Sequence, residues 1–210
     1  RDEAEDIAKL QALSADLAFI PPVEEMYANG FSTSVAVSGL TEGLCGATRP
    51  HFFGGVATVV SKLLLQALPD KAFFGEKDYQ QLQVVRRMAR DLNIPVEIVG
   101  VPTVREADGL AMSSRNWYLS PNERAAAPTL YKVLCEIADK LSAGSVSSAT
   151  TAAGRLQLEA AGFDPIDYIE VCDAGSLESL EKAGRPARVI AAAYLGHTRL
   201  IDNVPVATSG

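Results

Sequence analysis

The 210-residue sequence has few of the residues that build cross-linked or metal-centred proteins. Its three cysteines, Cys45, Cys135 and Cys172, are widely spaced and include no Cys-x-x-Cys pair, so we interpret them as reduced rather than paired or zinc-bound. The two histidines, His51 and His197, lie far apart and outside any metal-helix pattern, and we interpret both as structural. The side chains therefore predict no metal ligands.

The chain also lacks a basic surplus and long apolar runs. A formal net charge of −7 argues against general nucleic-acid binding, which needs a cationic face to displace counterions. No run reaches the roughly 18 apolar residues expected of a membrane span, and no basic-then-apolar signal segment opens the chain. We expect no nucleic-acid partner, no membrane association and a cytoplasmic location.

A hydrophobic fraction of 48% supports a packed core, and the spacing of those residues predicts an α/β fold. Val96, Ile98, Val99 and Val101 form the nearly continuous apolar run of a strand covered on both faces, which is typical of a parallel sheet. In the first half, helices are predicted over 4–13, 56–68 and 79–92, and strands over 17–20, 34–38, 71–74 and 96–101.

The second half of the chain has a different character. Ser120-Pro121-Asn122-Glu123 carries the signature of a capped helix start, and Gly162 suits a left-handed helix end. We predict helices over 120–141 and 147–161, strands over 166–172, 188–195 and 199–206, and helical turns near 176–182. Short strands in this order favour a small α+β domain with an antiparallel sheet. We place the domains at 1–103 and 104–210, with a nucleotide between them.

The run from Phe74 to Gln81 combines a glycine, charged residues and amides at the passage from a strand to a helix. Asp78 is predicted as the N-cap of that helix, with Gln81 completing a capping box. Backbone amides and the helix dipole would favour a phosphate there, beside the mobile charge of Lys77. The alternative is a solvated turn that only caps a surface helix.

A second polar cluster follows the next predicted strand. Ser113 and Ser114 place two hydroxyl groups beside the guanidinium of Arg115, a set suited to a polyanion. Because the carboxyl ends of parallel strands meet at one edge of a sheet, the two clusters together predict one nucleotide site.

These segments resemble the pantothenate synthetase family, the AMP-forming pantoate–β-alanine ligases. The string Gly-Glu-Lys-Asp-Tyr-Gln-Gln is far more specific than a lone glycine motif, and the resemblance runs in family order over almost the whole chain. It rests on Arg49-Pro50 with Gly55-Val56, Phe74 to Leu82, Val99 to Pro102, Asp108 to Asn116, and Leu200 to Asn203.

The resemblance implies a Rossmann-like nucleotidyltransferase sheet followed by the small α+β domain. It also implies a reaction in two steps, in which ATP and pantoate form pantoyl adenylate and pyrophosphate, and the amine of β-alanine then displaces AMP. It further implies magnesium and a homodimer.

Carried over position by position, the resemblance places Gly75, Glu76, Lys77 and Asp78 at ATP, with Lys77 on the phosphates. Asp78 and the Gly75 backbone would lie near the ribose, and Gln81 would bind pantoate. Val104 and Met112 would border adenine, while Ser113, Ser114 and Arg115 would hold the triphosphate. The catalytic residues expected on this basis are Lys77, Ser113 and Arg115.

Two departures from the family pattern leave alternatives open. The family's histidine-bearing segment, Met-Gly-x-Leu-His-x-Gly-His, is absent and is expected upstream of Arg1, so we expect the chain as given to be inactive alone. Around His51 the spacing is unusual, and Cys45 replaces a common glutamate. The alternatives are an adenylate-forming enzyme with another acid substrate, and a non-catalytic nucleotide-binding or dimer-forming fragment.

Overall fold

The computed structural model describes residues 3–207, which divide into two compact units, 3–33 and 34–207. The first unit contains helices α1 (Glu3–Ala12) and α2 (Val23–Met26). The predicted first helix is confirmed to within a residue at each end. The strand predicted over 17–20 is wrong, because these residues form no strand ladder in the described unit.

The second unit opens with an irregular segment and two helices. The strand predicted over 34–38 is wrong, since the Val35 N–H donates to the Thr58 hydroxyl, at 2.9 Å, in place of a ladder bond. Helices α3 (Cys45–Thr48) and α4 (Phe52–Ala67) follow, the latter starting four residues earlier than predicted. α4 ends at Leu68, a left-handed cap with φ 45°.

A β-α-β unit comes next, as predicted. Strand β1 (Lys71–Gly75) and strand β2 (Glu97–Val101) are parallel, with Lys71 opposite Glu97 and Gly75 opposite Val101. Between them lie a 3-10 helix (Glu76–Asp78), which we call the lysine turn, and helix α5 (Tyr79–Asp91). α4 and α5 cover one face of the pair through Ala57, Leu64, Val85, Met88 and Ala89.

The chain then crosses to the C-terminal layer. A second 3-10 helix (Ser114–Tyr118), which we call the arginine turn, precedes α6 (Pro121–Ala126). The predicted capping box is confirmed, with the Ser120 hydroxyl accepting from Glu123 N–H and the Glu123 carboxylate accepting from Ser120 N–H at 2.7 Å.

Helices α7 (Thr129–Ser142) and α8 (Ser147–Ala160) pack on an antiparallel sheet in the order β3-β4-β5. Its strands are β3 (Phe163–Asp173), β4 (Ala187–Leu195) and β5 (Thr198–Val206), so the predicted α+β architecture is confirmed. Gly162, with φ +92°, follows the end of α8 as expected. Of the helical turns predicted near 176–182, one hydrogen-bonded turn is found over 174–176, where the Leu177 N–H donates to the Asp173 carbonyl oxygen at 3.0 Å. The rest of the prediction is wrong, because the segment continues with a β-bridge between Cys172 and Ser179 and with bends.

The sheet layer and α7–α8 enclose a core that includes Leu130, Leu134, Ile137, Phe163 and Val189. A smaller apolar cluster joins this layer to the β-α-β unit, where Tyr79 and Leu82 meet Tyr168, Cys172 and Ile190. The two layers of residues 34–207 therefore share one packed interface. Among residues 3–207, no helix is both long and apolar enough to cross a membrane.

Candidate active site

The lysine turn lies at the carboxyl end of β1. Gly75 leaves the strand in an extended conformation, and Asp78 occupies the N-cap position of α5 as predicted. The capping box with Gln81 is wrong, since the Asp78 side chain makes no capping bond. The 3-10 helix leads directly into α5, and the Asp78 carboxylate instead lines a cleft with Gln81.

This central cleft brings together four of the predicted site residues: Lys77, Asp78, Gln81 and Arg115. They come from the lysine turn, the first turns of α5 and the arginine turn, so sequence-distant clusters do converge here. The other residues around the cleft are Cys45, Arg49, Phe52, Phe53, Tyr79, Gln80, Tyr168, Ile190, Arg199, Ile201 and Asp202.

The Lys77 ammonium group interacts with charged side chains of both signs in the cleft. Burial lowers its pKa below the ordinary lysine value, and the positive charge of Arg115 adds to that effect. The carboxylates of Asp78 and Asp202 act in the opposite direction. A partly desolvated ammonium beside a guanidinium gains strongly from an incoming anion, which restores the charge balance.

A second, smaller cavity adjoins Lys77. Ser113, Asn116 and Asp202 line it together with Lys77. The Asn116 amide donates to Glu106 and to the Ala111 carbonyl oxygen, both at 3.1 Å. Its Oδ1 is the one buried side-chain polar atom of the described residues without a hydrogen-bond partner. Donor and acceptor groups thus flank Lys77 on this side as well.

The remaining predicted residues lie around these cavities rather than in them. Val104 and Met112 are neighbours, joined by a backbone hydrogen bond of 2.9 Å, and both side chains are exposed. Ser114 is exposed and lines neither cavity. The Glu76 carboxylate accepts from Arg188 at 2.6 Å and borders a different cavity.

The C-terminal layer supplies cleft residues that the sequence analysis missed. Arg199 donates to the Asp167 carboxylate at 2.7 Å, and the Tyr168 hydroxyl contacts the Cys45 thiol at 2.9 Å. Burial raises the pKa of Tyr168, and the nearby Cys45 adds to the rise, so the phenol stays protonated. In the sequence, only the Leu200–Asn203 segment pointed to this part of the cleft. It belongs to β5, but its residues do not indicate which side chains contact the cleft.

Gln80 fixes the loop that carries Cys45. Its amide donates to the carbonyl oxygens of Leu40 and Gly43, both at 2.9 Å, and its oxygen accepts from Cys45 N–H at 3.0 Å. Cys45, Cys135 and Cys172 are all free thiols, as predicted, but Cys45 is also part of the cleft wall. His51 precedes α4 and is exposed, outside the residues that line the cleft.

Side chains suited to a resident metal are scarce. Within residues 3–207, no group of three or more His, Cys, Asp or Glu side chains could hold a metal ion. Asp202, a carboxylate beside Lys77, is already committed to Arg105. A divalent cation in this cleft would therefore be held chiefly by phosphate oxygens and water, as is usual for magnesium.

Fold and site together define an α/β protein with a cleft at the carboxyl end of a parallel strand pair, lined by Lys77 and three arginines. A sequence model of the pantoate-beta-alanine ligase family matches residues 1–205. The chain belongs to this family, which confirms the resemblance found in its sequence.

Known pantothenate synthetases are similar to this chain both in sequence and in structure. Pantothenate synthetase of Paramagnetospirillum magneticum is 59% identical over 206 residues, which cover 98% of this chain and 72% of that protein. The pantothenate synthetase of Rhizorhabdus wittichii is 55% identical, with 98% and 73% covered. The crystal structure of the Thermus thermophilus pantothenate synthetase superposes with a TM-score of 0.92 at 50% identity, covering 98% of this chain and 75% of that one.

A further solved structure carries ligands. It is the pantoate-beta-alanine ligase of Francisella tularensis, described as complexed with beta-gamma ATP and beta-alanine. The TM-score is 0.79 at 28% identity, with all of this chain and 72% of that one covered.

Proposed function

We infer that the protein joins pantoate to β-alanine in an ATP-dependent ligation, and that the central cleft is where the reaction occurs. The observation that carries this inference is the convergence of Lys77, Gln81 and Arg115 on one cleft in a chain of the pantoate-beta-alanine ligase family. A purely non-catalytic fragment is not favoured, because it leaves this convergence without a purpose.

In the first step, a pantoate carboxylate oxygen attacks the α-phosphorus of ATP, and pyrophosphate leaves. Negative charge builds on the phosphate oxygens and on the departing group. Lys77, Ser113 and Arg115 are the groups proposed to stabilise it, because Lys77 and Arg115 line the cleft and Ser113 lines the adjoining cavity with Lys77. Gln81 is proposed to orient pantoate for in-line attack.

In the second step, the amine of β-alanine attacks the acyl carbon of pantoyl adenylate, AMP departs with the C–O electron pair, and the amide nitrogen releases a proton to solvent. No covalent enzyme intermediate is required. Asp78 and the Gly75 backbone are proposed to hold the ribose of the nucleotide, with Val104 and Met112 against adenine. Glu76, on the lysine turn, and Ser114, on the arginine turn, are proposed as further ATP-binding residues.

We propose that magnesium enters with the triphosphate, that the protein forms a homodimer in the cytoplasm, and that 1–103 and 104–210 act as two functional halves. The C-terminal core, built from residues between Leu110 and Val206, supports the last of these. Sedimentation velocity tests the dimer, and a magnesium titration of the reaction rate tests the metal.

The direct test supplies the gene product with ATP, pantoate and β-alanine. We expect AMP, pyrophosphate and pantothenate in equal amounts. Release of ADP and phosphate would contradict the adenylation chemistry. ATP binding in calorimetry without pyrophosphate release would favour the non-catalytic alternative, and adenylation of a different acid would favour the other adenylate-forming enzyme.

A further inference from the structure

Asn203 of β5 holds the backbone of the lysine turn. Its side-chain amide donates to the carbonyl oxygen of Glu76 at 2.9 Å and to that of Lys77 at 3.1 Å. The residue is only 3% exposed, so water cannot substitute easily for either bond. One buried side-chain amide thus binds two consecutive peptide carbonyl groups, those of Glu76 and Lys77.

Arg188 of the neighbouring strand fixes the Asn203 side chain from the other side. Its guanidinium donates both to the Asn203 Oδ1 and to the Glu76 carboxylate. The same guanidinium lies over the ring of Tyr79, 3.9 Å from its centre. Both ends of the Asn203 amide are therefore engaged, and the side chain has a single orientation.

The preceding residue of β5 ties down the approach to the arginine turn. Asp202 accepts from two nitrogens of Arg105, at 2.6 and 2.9 Å, and is 3% exposed. Arg105 also donates to the Gly109 carbonyl oxygen at 3.1 Å. Two adjacent buried residues of one strand therefore fix segments that reach both sides of the cleft.

We propose that Asn203 is a positioning residue for Lys77, setting where its ammonium group meets the reacting phosphate. The lysine turn has three residues, so its path depends on contacts from outside the turn. A displacement of about 1 Å in a catalytic group can lower a rate about 100-fold. The proposal rests on the proposed function only for its effect on the rate.

Asn203→Asp tests the proposal with almost no change in size. It replaces an amide donor with a carboxylate, so the Glu76 and Lys77 carbonyl oxygens lose their partner. We expect the rate of adenylate formation to fall about 10- to 100-fold, with a KM for ATP changed by less than about threefold. Asn203→Ala removes the amide without adding a charge and provides a second variant if the first folds poorly.

Val204→Ala is the matched control. Val204 is buried on the same strand, in the C-terminal core, and its apolar side chain has no group that could hydrogen-bond the lysine turn. It should lower the thermal stability at least as much as Asn203→Ala while leaving the adenylation rate within about twofold. Equal losses of rate in the two variants would show a merely structural role and overturn the proposal.

A second readout does not depend on ligase activity. The Lys77 side chain, labelled by reductive ¹³C-methylation, reports its pKa by NMR titration without ATP. Since burial lowers this pKa, releasing the turn in Asn203→Ala should move it back toward the ordinary lysine value, and Val204→Ala should leave it unchanged. An unchanged midpoint in both Asn203 variants would contradict the proposal. If the protein makes no adenylate, the proposed function fails, while this titration still decides the role of Asn203.

Discussion

The two turns that face the central cleft are held in different ways. The lysine turn is tied through its backbone to the buried Asn203, within a network that includes Arg188. The arginine turn is largely exposed, with Trp117 89% exposed, and Arg115 reaches the Arg199 carbonyl oxygen at 3.2 Å. The arginine turn is itself anchored by Asn116, which donates to Glu106 and to the Ala111 carbonyl oxygen, so the difference lies in the side chains that face the cleft. We propose that Lys77 is preformed in the cleft, whereas the exposed Arg115 adapts to its ligand.

This contrast assigns different tasks to the two cations. We propose that Lys77 is placed before ATP arrives, so that its contribution belongs mainly to the transition state. We propose that Arg115, on the exposed turn, gains its place by contacting the nucleotide, so that it contributes to ATP binding as well as to the charge stabilisation proposed above. Variants of the two turns separate these contributions.

Lys77→Ala should lower adenylate formation by about 100- to 1,000-fold and change ATP binding much less, because a preorganised donor acts on charge that develops in the transition state. Single-turnover measurement of pyrophosphate release checks this. Lys71→Ala is the control, since Lys71 is an exposed residue of β1 paired with Glu97. An unchanged adenylation rate in Lys77→Ala would show that Lys77 takes no part in adenylate formation.

Arg115→Ala should raise the KM for ATP about tenfold, because the exposed turn loses its charge-assisted hydrogen bond to the phosphates of ATP. Arg115→Lys should recover part of this loss, since it keeps the charge without the planar fork. Arg90→Ala on α5, where Arg90 pairs with Asp91, should behave as wild type. If Arg115→Ala instead lowered the adenylation rate without changing the KM for ATP, Arg115 would act in the transition state rather than in ATP binding.

Ser113→Ala and Ser114→Ala should have the smallest effects and should differ. Ser113 lines a cavity with Lys77, whereas Ser114 is exposed. We expect kcat/KM for ATP to fall about fivefold in the first variant and no more than about twofold in the second. Steady-state kinetics decides the order, and a larger effect at Ser114 would require the arginine turn to rotate on binding ATP.

The sequence was most informative where structure is local. The β-α-β unit and the Ser120 capping box follow from spacing within a few residues, and both are confirmed. The strands predicted over 17–20 and 34–38 failed, since an extended segment becomes a strand only by pairing with another segment. Apolar spacing does not report the bond that Val35 makes to Thr58 instead.

The candidate site shows the same division. Lys77, Asp78 and Gln81 could be recognised because they belong to one continuous motif. Tyr168 and Arg199 lie about 90 and 120 residues further along the chain, on strands whose apolar pattern gives no sign of a cleft. Their roles depend on packing between the two layers, which no local pattern reports.

The most direct test of the central claim is the titration of the ¹³C-methylated Lys77 side chain with and without ATP. Burial favours the neutral amine in the free protein, whereas bound phosphates favour the ammonium form. We therefore predict a pKa below the ordinary lysine value that rises when ATP binds, with an ATP affinity that falls as the pH passes above the free-protein pKa. A Lys77 pKa that ATP leaves unchanged would contradict the account.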